Sequence, residues 1–137
     1  MTEQRRSTVL RFLTVAGFAV DAYAHFNLAA QYDTTGGGIT QGLLFRLEAV
    51  AAIVAALLVI VSVRRVFYVL PFLIAASALG AVLLYRYVDV GTIGPLPDMY
   101  DPAWYPEKLL SAIAELIATI GAAIMLVSPR NPTRLAD

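Results

Sequence analysis

The stretch FAVDAYAHFNLA, residues 18–29, sets Asp21 and His25 four residues apart in an apolar run, so a helix would present both on one face. Glu48 in LLFRLEAVAA and Glu115 in AIAELIA are likewise single acids in apolar surroundings. One imidazole and three carboxylates are the groups that bind the polar head of a ligand in an apolar cavity, or hold a divalent metal. For a metal, this donor set favours iron, manganese or zinc over calcium. The Glu-x-x-His pairs of four-helix di-metal sites are absent, and His25 is the single histidine. The chain has no phosphate loop, no dinucleotide-binding glycine motif and no nucleophile elbow. It also has no cysteine, which excludes disulfides and thiolate chemistry.

The elements that must position these residues follow from composition. Hydrophobic residues make up 59% of the 137 and charged ones 15%, against roughly 45–50% and about 25% in soluble domains. The mean hydropathy is +0.72. A spanning helix needs about 20 mostly apolar residues, and four segments qualify: Thr8–Leu28, Gly42–Val63, Val66–Val88 and Glu107–Val127. Strands of a membrane barrel would be shorter and would alternate apolar with polar residues. The expectation is an all-α, polytopic membrane protein. It forms one domain over residues 1–137, an antiparallel bundle of four transmembrane helices with long loops at 29–41 and 89–106. Ala22-Tyr23-Ala24 also fits a signal-peptide cleavage pattern, but Arg11 and Asp21 interrupt the apolar run, so the first helix is read as retained.

Basic residues collect in cytoplasmic loops. Arg5, Arg6, Arg11, Arg64, Arg65, Arg130 and Arg134, seven of the ten cations, fall at one end of the bundle. Asp33, Asp89, Asp98, Asp101 and Glu107 fall at the other, with Lys108 at its edge. Both termini are therefore expected in the cytoplasm, in a bacterial inner (plasma) membrane. SVRR reads as a tight hairpin between the second and third helices. Three consecutive glycines make the 29–41 loop a turn or a mobile segment. Four prolines stiffen the 89–106 loop, and its Tyr100, Trp104 and Tyr105 suit the headgroup region. That loop is expected to fold back as a cap.

At 1.5 Å per residue, Asp21, Glu48 and Glu115 lie about 9–12 Å below the outer end of their helices, and His25 about 5 Å. Small or weakly polar residues share their faces: Gly17 and Thr14 with Asp21, Ala52 and Ala55 with Glu48, Ser111 and Ala118 with Glu115. Such faces pack against other helices, so the acids are expected to gather in one layer inside the bundle. Arg46 projects away from Glu48, and pairing of Arg86 with Asp89 is sterically easy. Arg46, Arg86 and Asp89 are thus the candidates for structural ion pairs.

Three functions fit this layer. The first is an outward-facing pocket for a hydrophobic or amphiphilic small molecule or lipid, formed by Asp21, His25, Glu48 and Glu115 under Tyr100, Trp104 and Tyr105. The second is a salt-bridge layer in an accessory subunit of a larger membrane complex. The third is a metalloenzyme with Asp21, His25, Glu48 and Glu115 as ligands. The pocket reading is not an enzymatic one. Partners would be the bilayer and a membrane protein or a second copy, while a net charge of zero gives no reason to expect nucleic acid.

DAYAHFNLAAQYD, LLFRLEA and the YDPAWYPEK stretch leading into Glu115 resemble small bacterial four-helix membrane proteins of unassigned function. The layout is similar to that of DoxX-type proteins, which also have four spans and cytoplasmic termini. That resemblance rests on architecture and implies respiratory or redox partners; it carries over no functional residue.

Overall fold

A computed structural model describes residues 2–36 and 38–128 of the chain. Gly37, Arg130 and Arg134 lie outside the described residues. Four helices follow in order: α1 Glu3–Ala29, α2 Gln41–Val61, α3 Val69–Tyr87 and α4 Pro106–Val127. Each is long and apolar enough to cross a membrane. They pack in a ring in which α1 contacts α2 and α4, and α3 contacts both of these. Neighbours run antiparallel, since Arg11 near the start of α1 meets the end of α2 and Asp21 in α1 meets Ser111 in α4.

Three boundaries differ from the expectation. α1 starts at Glu3 rather than Thr8, because the Thr2 side chain caps its first turn and Glu3 suits the positive helix end. A hydropathy window ends before such a polar turn. α2 stops at Val61, and SVRR is not a tight hairpin. The chain leaves α2 in extended conformation at Ser62, then turns through one 3-10 turn, Arg65–Tyr68, before α3 begins at Val69. Arg11 organises this crossing. Its guanidinium donates to the carbonyls of Val59 and Ser62 and to the Tyr68 hydroxyl, while Tyr68 also donates to Ser62. A cation there complements the negative C-terminal end of α2.

Small residues form the seams. Ala52, Ala55, Ala118 and Ala122 are buried, and Gly17 and Gly121 lie where α1 crosses α4. A methyl group on Gly121 would collide with Thr14 Oγ1, and one on Gly17 would sit 2.8 Å from the Ala114 carbonyl oxygen. Large aliphatic side chains such as Leu57, Ile60, Leu73 and Ile120 face outward. Small inside and large outside is the packing of a bundle with an apolar surround, where close backbone approach supplies the attraction.

The described residues of both long loops turn over the end of the bundle formed by the end of α1 and the start of α2. Residues 30–32 form a 3-10 turn, and Gly36, at φ +116°, bridges to Thr40, which caps α2. The 88–105 segment folds back: the Asp101 N–H donates to the Tyr85 carbonyl at 3.0 Å, and Pro97 packs on Gly36.

Candidate functional site: a polar layer beside an apolar cavity

Asp21, His25 and Glu115 come together between α1 and α4, with exposures of 2%, 7% and 1%. His25 Nδ1 lies 2.9 Å from Asp21 Oδ1 and 3.1 Å from the Asp21 carbonyl oxygen, one helical turn back. The Ser111 hydroxyl is 2.7 Å from Glu115 Oε1 and 3.2 Å from Asp21 Oδ1, so its single proton is shared between two acids on two helices. Glu115 Oε2 is buried and has no hydrogen-bond partner among the described residues.

Glu48 stands apart from this trio. It lines a cavity of about 520 Å³ bounded by all four helices and the 88–105 loop. His25 and Ser111 reach that cavity from the trio; Phe45, Leu44 and Ala51 of α2 and Ala78, Val82 and Tyr85 of α3 form its apolar wall. Leu96, Met99, Asp101 and Tyr105 close it on the loop side. The Phe45 ring meets His25 and Tyr32 edge-on at 5.3 and 5.2 Å. Glu48 Oε1 is buried without a donor. A volume between about 300 and 1,000 Å³, apolar walls and few polar groups are the features of a small-molecule site. Another hollow of about 480 Å³ between the two loops has Asp98 as its single ionisable lining residue and lies away from the layer.

The cap is divided. Tyr105 lines the cavity, whereas Tyr100 and Trp104 do not and are about 40% exposed. Trp104 instead lies against Arg86 and Lys108, whose charges are 5.6 and 5.8 Å from its ring centre. Tyr105 exchanges a 3.1 Å hydroxyl contact with Tyr32. Burial, then that contact, pushes the Tyr105 hydroxyl above its ordinary pKa, so it stays protonated as a hydrogen-bonding group.

Of the expected ion-pair residues, Arg46 is paired and the Arg86–Asp89 pairing needs correction. Arg46 pairs with Asp33, in a two-pronged contact of 2.5 and 2.8 Å that holds the Asp33 carboxyl below its usual range. Arg86 does not pair with Asp89. It stacks on Tyr87 and Trp104, which offer ring faces within reach of a short stem, while Asp89 Oδ1 accepts the Gly91 N–H. Among the described residues, neither arginine reaches the polar layer.

Sequence reasoning left Ser111 and Lys108 out of the site. Ser111 was discoverable, because it precedes Glu115 by four residues on the same face. Lys108 gave no such signal: it reads as an edge cation, yet it is buried in the cavity lining, donating to the Asp101 carbonyl at 2.5 Å. Asp21, His25 and Glu115 offer three donor atoms within 4.8 Å of one another and are the residues that could hold a metal. Glu48 is not among them. No family model, curated protein or solved structure matches the chain.

Proposed function

We propose that this protein is a multi-pass membrane protein whose bundle holds an amphiphilic small molecule or lipid in the cavity between Glu48 and the 88–105 loop. The observation that carries this reading is the cavity of about 520 Å³ itself, lined mainly by apolar side chains with a few polar groups among them, Glu48, His25 and Ser111 included. Leu47, 57% exposed, and Ala81, also exposed, line it at its edge, so it reaches the bundle surface between α2 and α3. An apolar molecule dissolved in the bilayer meets the cavity there. The arginines at the short-turn end favour cytoplasmic termini, with the cavity in the outer half of a bacterial inner membrane.

The polar layer has two parts in this role. Asp21, His25, Ser111 and Glu115 tie α1 to α4 and keep that side of the cavity fixed. Glu48 and His25 present polar atoms to the occupant. A photoactivatable alkyl alcohol incorporated into proteoliposomes tests the reading by peptide mapping. Labelling concentrated at Leu44, Phe45 and Val82, and competed by excess unlabelled alcohol, is the expected result. Labelling spread evenly over lipid-facing positions such as Ile53 and Ile117, without competition, would overturn it.

A further inference from the structure

Resting on that pocket, we infer that its ligand is a cationic amphiphile: an amine head seated at Glu48, with an apolar tail leaving between α2 and α3 past Leu47. The charges around the cavity single out Glu48. Lys108 and Asp101 both line it, but they engage each other, with Nζ 3.5 Å from Asp101 Oδ2 and 2.5 Å from its carbonyl oxygen. His25 is held by Asp21. Among the described residues Glu48 has no such partner, and its Oε1 is buried without a donor. Two arginines stand nearby, Arg46 on the same helix and Arg86 on α3, and both are turned elsewhere: Arg46 to Asp33, Arg86 to the Tyr87 and Trp104 rings.

An anionic head would enter beside this unpaired acid, with Glu115 and Asp21 buried behind the Ser111 wall. An alcohol supplies one donor and no charge. A protonated amine supplies several donors and the missing charge, and charge-assisted hydrogen bonds are the stronger kind. Phe45, Tyr85 and Tyr105 add ring faces to the same cavity, which attract cations. A divalent metal fits less well. Its donor trio already spends the Nδ1 contact and the Ser111 proton internally, and filling that trio would leave Glu48 as it is.

The test is a matched series on the full chain in zwitterionic nanodiscs, read by titration calorimetry: 4-phenylbutylamine, 4-phenylbutanol and 4-phenylbutanoate. The amine is expected to bind about ten-fold tighter than the alcohol, and the carboxylate weakest. Glu48→Gln should shrink the amine's advantage over the alcohol to below about three-fold. Ala51→Phe, which fills the cavity, should abolish binding of all three. If the unmodified chain binds the alcohol or carboxylate as tightly as the amine, the head-group assignment is wrong while the pocket stands. If none of the three binds, the pocket itself fails. The series on the unmodified chain decides both points even where a variant does not fold.

Discussion

Ser111→Ala isolates the link between α1 and α4. The hydroxyl donates to Glu115 at 2.7 Å and more weakly to Asp21 at 3.2 Å. Asp21 keeps His25 Nδ1 at 2.9 Å after the change. Glu115, 1% exposed, loses that hydroxyl, and among the described residues its Oε2 has no hydrogen-bond partner either. Interhelical hydrogen bonds in membrane bundles average only about 0.6 kcal/mol, whereas a stranded buried polar group costs about 1–3 kcal/mol. The stranded Glu115 therefore dominates, and Ser111→Ala should destabilise by about 1–3 kcal/mol with almost no change in volume. Removing the stranded group as well should reverse part of this loss. Ser111→Ala with Glu115→Met should fall short of the sum of the two single changes by at least about 1 kcal/mol. Unfolding by SDS titration in mixed micelles, followed by far-UV circular dichroism, measures all three. A Ser111→Ala loss below about 0.5 kcal/mol together with an additive double variant would refute the linkage.

Two further outcomes follow from the packing. Gly121→Ala places a methyl on Thr14, so it should cost about 1–3 kcal/mol, and Thr14→Ala in the same chain should recover much of that loss; the same SDS titration reads both. Arg11→Met strips the carbonyls of Val59 and Ser62 and the Tyr68 hydroxyl of a charged donor. It should cost about 1.5–3 kcal/mol and speed amide exchange over residues 61–68, leaving the long-loop end unchanged. Arg11→Lys should rescue only in part, because all three acceptors meet at one guanidinium nitrogen, Nη2, which the shorter lysine stem does not reach.

The four helices were legible because apolar length is written directly in the chain, and the facing of Asp21 and Glu115 because small residues recur at helical spacing beside them. What stayed hidden depends on distances between elements. Depth along a helix places Glu48 level with Asp21 and Glu115, but does not show that it stands across a cavity from them. Asp33 and Arg46 are thirteen residues apart, joined by a loop whose fold no pattern specifies, so their pairing was not visible. Arg11 reads as a cytoplasmic charge, and its seat on the end of α2 depends on how α1 crosses that helix. The single histidine points to chemistry, yet its Nδ1 is used within its own helix.

The most direct measurement asks whether the purified protein retains a small molecule. Native mass spectrometry of the unmodified chain, extracted gently and compared with Ala51→Phe, reports any retained small molecule. A functional pocket predicts one amphiphile per chain on the unmodified protein and its loss from the filled variant. The same bound lipids in the same amounts on both proteins would contradict it.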